Sequence, residues 1–496
     1  MFSLHNLVFD ESLPVKHYST GGMKMLIGET LPFVTAYIEE LDSTLRTFDS
    51  QSGLTRYRKA WLGFCILAII VTDSVCWKRF ERASLGRWSH SCLSWAFRYT
   101  TRSWKDLLQA SVIAIVNRYG LTEGILVVDD SDHPRSKSTT RLYKTYKLHH
   151  KPSGGTVNGQ RCVLLLFVTP LVTLPVGVEF YMPDPAVTAW NRQDRALRKQ
   201  GVPAKVRPEK PLTNPHYPTK QELALELLSD FRGHFPQLRI RCILADTLYG
   251  TEDFMDTASL MSGGKQVVSQ LRKNQKVRFR GKELPVETYF RHHPGAPFTI
   301  KIRGGQEQTV MVSSARLYVC AHKTKRFVMA MKYEGEEEYR YLVATEMSWR
   351  TLDIVQVHTG RWLVEVFIQD WSSYEGWRQL AKQPDEDGSR RSLILSLLCD
   401  HCLLLHPEQS ARLEHNLPAC TVGSLCEVIK MESLMQCLWD VVSSEEPVMA
   451  FQQLTMHVKE VFTLRDSGKH MVGRDLGRLE PTPSLKYHAR VMMNAA

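Results

Sequence analysis

The chain has 496 residues, room for two to four domains at roughly 150 residues each. Hydrophobic residues make up 43% of it and charged residues 23%, which excludes wholesale disorder. Lys and Arg number 63 against 52 acids, a formal net charge of +11 that favours a polyanionic partner.

The longest apolar run, Trp61 to Val71, is far short of the ~18 to 20 residues that cross a bilayer, so no membrane partner is expected. MFSLHNLVFDESLP has no basic n-region and carries acids early, which argues against a secretory signal. The 11 cysteines are odd in number and scattered, as reduced thiols are. A cytoplasmic location is the expectation.

From about residue 20 to 118 apolar positions recur at three- and four-residue steps, in LPFVTAYIEELDSTL, YRKAWLGFCILAIIV and WKDLLQASVIAIVNRYG. Basic and aromatic residues interleave between them: Trp77, Lys78, Arg79, Phe80, Arg82, Arg87 and Trp88. Either a helical bundle with solvated basic faces or a DNA-reading surface would look like this. Residues 1–120 are assigned as a helical N-terminal DNA-binding region.

After Gly120 the period changes. ILVVD (Ile125 to Asp129) is short, apolar and β-branched, as a buried strand is. RCVLLLFVT and VGVEFYM follow as strands, and Pro183 to Pro218, rich in Pro, Arg and Lys, reads as a linker. Then come the helix TKQELALELLSDFRGHF, the strand RCILAD, the helix TEDFMDTASLM and the strand KQVVSQL. The order β-β-β-α-β-α-β predicts an α/β fold with a mixed sheet covered by helices. Residues 121–275 form the first part of this core. Residues 276–345 read as β only, a β-rich insertion, and one helix from Thr351 to about Leu380 completes the core within 346–385. Residues 386–465 are helical and a candidate dimerisation region; 466–496 are polar and expected to be a flexible tail.

Asp129 and Asp246 end the first and fourth strands, and Glu365 lies on the helix after the insertion. Functional residues gather at the carboxyl ends of strands in open α/β sheets. Adjacent carboxylates cannot all ionise without a cation, and hard oxygen donors suit magnesium or manganese. Two such ions activate a hydroxyl nucleophile and stabilise the leaving oxygen in phosphodiester chemistry. Any one acid could equally be a solvated surface group or a turn residue, and Asp130 competes with Asp129. Two basic runs flank these acids: Arg135, Lys137, Arg141, Lys144, Lys147 and Lys151 against the single acid Asp132, and Arg272 and Lys273 in LRKNQKVRFRGK. Each reads as a solvated turn or as phosphate contacts. Cys399 and Cys402, inside an apolar helix, read as buried thiols.

Three blocks together resemble the cut-and-paste DDE transposases of bacterial insertion sequences, of the insertion-sequence-four type. ILVVDDSDHPRSK is similar to the family's first block, an Asp, any residue, then Ser or Thr, which matches Asp129 with Ser131 and prefers Asp129 to Asp130. LADTLYG with VVSQLRKN is similar to the second block, and HTGRWLVEVFIQDWSSYEG to the third, through Arg361, Trp362 and Glu365. Asp129 and Asp246 are 117 positions apart, Asp246 and Glu365 119, and the resemblance covers about Leu121 to Leu380. Where the family's third block has Tyr and Lys, this chain has His358 and Ser372, which puts a hairpin route for end processing in doubt.

The resemblance implies a ribonuclease-H-like core in which Asp129, Asp246 and Glu365 hold two Mg2+ (or Mn2+) ions, with Arg361 on phosphate. It implies cleavage at insertion-sequence ends and transfer of the 3′-hydroxyl into target DNA. The partners it implies are terminal inverted repeats, target DNA and a second protomer, in a bacterial cytoplasm and on the nucleoid when bound to DNA. The rival readings are a metal-dependent nuclease without strand transfer, an inactive DNA-binding descendant of a transposase, and a basic scaffold protein.

Overall fold

A computed structural model describes residues 30–49, 53–99, 103–135, 139–150, 154–302 and 305–462. The tail at 466–496 and the first 29 residues lie outside them. Five helices come first: α1 (Pro32–Phe48), α2 (Arg56–Thr72), α3 (Trp77–Ala83), α4 (His90–Tyr99) and α5 (Trp104–Arg118). Thr55 and Ser103 start α2 and α5 by accepting bonds from the backbone N–H groups of Arg58 and Asp106. From Trp61 to Ile70 every residue of α2 is buried, as a helix apolar on all sides must be. The interleaved aromatics turn inward. Trp61 lies 6.4 Å from both Trp77 and Phe97, and Trp88 stacks on Phe64 at 5.2 Å. Arg79, Arg82 and Arg87 stay exposed.

The α/β core follows as β1 (Glu123–Pro134), β2 (Tyr146–His150), β3 (Gly155–Val168), β4 (Thr173–Tyr181), α6 (Pro185–Lys199), α7 (Lys220–His234), β5 (Arg239–Ala245), α8 (Glu252–Met261) and β6 (Gln266–Leu271). β3 pairs antiparallel with β1, β2 and β4, while β5 pairs parallel with β1 and β6. The mixed sheet is the one expected. The linker at Pro183 to Pro218 is corrected: it contains α6, started by Asp184, which accepts from the Ala186 N–H, and by Pro185 in the first turn.

The insertion contributes β7 (Lys276–Phe279), β8 (Lys282–Pro285), α9 (Val286–Arg291), β9 (Ala296–Lys301), β10 (Glu307–Val319), β11 (Thr324–Tyr333) and β12 (Arg340–Ala344). The short helix α9 was not expected in a β-only stretch; Val286, Tyr289 and Phe290 bury its inner face. β12 pairs antiparallel with β6, so all twelve described strands join one sheet, in the order β2-β3-β1-β5-β6-β12-β11-β10-β7-β8, with β4 on β3 and β9 on β10.

Six helices close the described chain: α10 (Thr351–His358), α11 (Trp362–Ser373), α12 (Glu386–Leu404), α13 (Pro407–Glu414), α14 (Val422–Val442) and α15 (Pro447–Val461). The single helix expected from Thr351 to Leu380 is thus broken, first by a tight turn at Thr359–Arg361 and finally by Gly376 in the left-handed region. The sheet separates two cores. Val127, Leu164, Leu166 and Leu244 face α11, α12 and the N-terminal helices, while Leu126, Val128, Leu165 and Ile243 face α7 and α8. α12 runs through the N-terminal layer. Its His401 bonds Ser111 at 2.7 Å, and Ser111 bonds Tyr37 at 2.7 Å. Cys399 and Cys402 are buried free thiols on the same helix. Among the described residues no single helix is long and apolar enough to cross a membrane.

Candidate active site

Strand alternation places the acids. On β1, Val127 points to the α11 side and Val128 to the α7 side, so Asp129 follows Val127 and Asp130 follows Val128. On β5 the same parity sends Leu244, and after it Asp246, to the α11 side. β1 and β5 run parallel with Val128 opposite Ala245, so Asp129 and Asp246 lie side by side on one face; Asp129 does not end its strand as expected, because β1 continues to Pro134 through its pairing with β3. Glu365 arrives on that face from α11, in its first turn.

One guanidinium ties the group together. Arg361 Nη1 donates to Asp129 at 3.2 Å and Nη2 to Glu365 at 2.6 Å. Asp129 is nevertheless hard to ionise: burial pushes its pKa up to about 6, against the pull of the Asp130 N–H and Arg361, and the charges of Asp130 and Asp246 push the same way. Asp130, on the other face, is held by Lys220 at 2.7 Å and by Arg161 at 3.4 Å. Asp246 accepts the N–H of Thr247 at 2.6 Å and so caps its own turn, while its carbonyl accepts from Ser269 at 2.8 Å. Gly250 ends this turn where any Cβ would run into the Gln270 carbonyl, which lets the turn press against β6.

The other sequence-assigned residues divide. Arg135 turns inward, donating to the Leu380 carbonyl and Gln160, each at 3.2 Å, and Lys144 donates to the Phe180 carbonyl at 2.9 Å. Arg141, Lys147, Arg272 and Lys273 are exposed, Lys273 beside Glu338 at 3.1 Å. Lys137 lies outside the described residues. His358 and Ser372, at the family's Tyr and Lys positions, are both buried. His358 sits 3.2 Å from Gln270, and burial lowers its pKa to about 3, so it is neutral. Three neighbours were not found from sequence: Lys220, Tyr249 and Trp377. Tyr249 is fully buried with its hydroxyl unpartnered, and burial beside Asp130, Asp129 and Asp246 pushes its ionisation upward. Trp377 donates to Ser131 at 3.0 Å. A lone Lys or Trp far along the chain carries no local pattern that would mark either one.

The donors on the α11 face are carboxylate oxygens, the chemistry a hard divalent cation needs. Among the described residues, however, no group of three or more acidic, His or Cys side chains stands in a metal-holding arrangement. With Arg361 between Asp129 and Glu365, a guanidinium supplies the neutralising charge.

None of the curated proteins matches the chain. Among solved structures it is similar to a piggyBac transposase synaptic complex with hairpin DNA, at 9% identity and a TM-score of 0.41, covering 90% of this chain and 86% of that one. It is also similar to the NurA nuclease from Sulfolobus solfataricus, at 9% identity and a TM-score of 0.18, covering 48% of this chain and 72% of that one. A family model matches residues 70–327, just over half of the chain, a span that includes Asp129 and Asp246 and stops before Glu365. The chain therefore belongs to the DDE superfamily endonucleases.

Proposed function

We propose that the protein is a DNA transposase that cleaves at the ends of a mobile element and joins the freed 3′-hydroxyl to target DNA. The observation that carries this reading is the placement of Asp129 and Asp246 side by side on adjacent parallel strands, on the face that Arg361 and Glu365 close. The strand order supports a ribonuclease-H-like core, and the insertion-sequence-four resemblance extends the family to this chemistry. Asp129, Asp246 and Glu365 would hold divalent magnesium or manganese, which lowers the pKa of the attacking hydroxyl and stabilises the leaving oxygen when bound. Arg361 would turn from the carboxylates to the phosphate, since a guanidinium pairs with either. Arg141, Lys147, Arg272 and Lys273 would hold the backbone on either side. Water attacks phosphorus, the bond to the 3′-oxygen breaks, and that hydroxyl then attacks a target phosphodiester. With His358 and Ser372 buried, holding the element end falls to other residues. Two protomers would bring the paired ends together, in a bacterial cytoplasm.

The test is magnesium-dependent cleavage and joining on a labelled duplex carrying the element's own end, comparing wild type with Asp246→Asn. Asparagine keeps the size and the cap of the turn but loses the charge. Nicking with a joined product, lost in the variant, is the expected result. Cleavage without joining would identify a nuclease, and equal activity in both proteins would remove Asp246 from the site. Binding without cleavage in either would mean an inactive descendant.

A further inference from the structure

The segment between β4 and α7, residues 182–219, carries seven Lys or Arg against three acids, a net +4 in a chain whose whole excess is +11. It is folded rather than loose. On α6, Asp194 is buried by its own arm: Arg198 holds it at 3.0 Å and Arg207, on the returning chain, at 2.7 Å. The Trp190 indole N–H fastens the same return by donating to the Pro208 carbonyl at 2.8 Å. Yet Asp194 is the sole buried residue of α6. A helix with no fully buried apolar side chain adds little to the fold through burial.

The clasp sorts the cations. Arg198 and Arg207 are used on Asp194, while Arg192, Arg195 and Lys199 share the opposite face at three- and four-residue spacing, a stripe about 10 Å long. All three are exposed, and no described residue pairs with them. Lys205 and Lys210 extend the charge along the return, also exposed. Gathering like charges on one projecting element is self-repulsive unless an anion neutralises them.

Both roots of the arm lie at Asp130 and Asp132, next to Asp129 along β1 but on the opposite face of the sheet from it. Tyr181, the end of β4, is opposite Arg161, which binds Asp132 and Asp130. Lys220, the start of α7, sits 5.6 Å over the Tyr181 ring and bonds Asp130. We propose that this arm grips the phosphate backbone of duplex DNA beside the active site, through Arg192, Arg195 and Lys199, without reading its sequence. Arg and Lys pair with phosphate, which carries no sequence, but both can also bond a guanine edge, so a duplex of unrelated sequence is what separates positioning from selection. The proposal rests on the DNA reading above.

The test measures affinity of the full chain for a random-sequence DNA duplex by fluorescence anisotropy over a salt series. Wild type is compared with the triple variant Arg192→Ala, Arg195→Ala, Lys199→Ala and with a charge-keeping variant, Arg192→Lys, Arg195→Lys, Lys199→Arg. Each phosphate contact contributes about 0.9 to the slope of log affinity against log salt, so the alanine variant should lose about 2.7 and bind on the order of 10²-fold more weakly at 0.1 M salt. The charge-keeping variant should retain the slope, and a second duplex of unrelated sequence should show the same loss. Unchanged melting temperature in all three proteins is expected, since the three side chains are exposed and pair with no described residue. An alanine variant with the wild-type slope, or a loss confined to one sequence, overturns the proposal and leaves the cleavage reading standing. If wild type binds no DNA, both fall together.

Discussion

Removing the Arg361 guanidinium would leave Asp129 and Glu365 facing each other without the cation that both now touch. Arg361→Gln should therefore lower stability by about 1–3 kcal/mol in urea unfolding. Added magnesium should raise the variant's melting temperature more than that of wild type, because the ion can take the vacated role. Glu375 offers a second test. It is fully buried with both carboxyl oxygens unpartnered, and burial, with Asp400 and Asp370 nearby, holds its pKa well above the usual range. The folded state keeps a proton that the unfolded chain releases near pH 4, so this contribution is full below that and is lost as pH rises. Glu375→Gln removes the loss: the melting temperature of the variant should gain on wild type steadily from about pH 5 to about pH 8. Of these residues the sequence exposed only part. Asp129, Asp246 and Glu365 stood out because each lies within a recognisable block, although Asp129 sits inside β1 and not at its end. The choice of Asp129 over Asp130 rested on the block pattern; strand parity puts Asp129 on the α11 face with Arg361 and Asp130 on the other. That Arg361 lies between two acids, and that Arg135 turns inward, depended on partners more than two hundred residues away.

Helix α7 begins with a reciprocal cap: Thr219 accepts from the Glu222 N–H, and the Glu222 side chain accepts from the Thr219 N–H. Thr219→Ala should cost about 1 kcal/mol in chemical unfolding. Because Lys220 follows immediately, the same change should also loosen the hold on Asp130. Periodicity made α1, α2, α5 and α7 readable, since each repeats apolar residues on one face or all round. It failed at α6, whose three- and four-residue pattern is written in arginines, and whose stability comes from an internal ion pair instead of an apolar face. Nor did it show that β12 would sit against β6, because pairing between strands seventy residues apart leaves no local trace.

At the scale of the whole molecule, α14 presents a second apolar face that no described residue covers. Val428, Met431, Met435, Leu438 and Val442 recur at alternating three- and four-residue steps and are 42–65% exposed, while Leu425, Ile429, Cys437 and Val441 bury the opposite side. Such a seam is what two helices bury between them. If a second protomer is its partner, Met435→Glu should shift the protein from dimer to monomer in sedimentation with no loss of helix content; wild type already monomeric would remove this face from assembly. The threading of α12 through the N-terminal layer carries a consequence for synthesis. Ser111 leaves the ribosome 290 residues ahead of His401, which at about 5–20 residues per second is roughly 15–60 s of waiting. Throughout that interval the faces of α1, α2 and α5 that α12 will cover have no native lid. The newborn chain must be shielded from its neighbours, or made slowly and sparsely, to reach the fold at all.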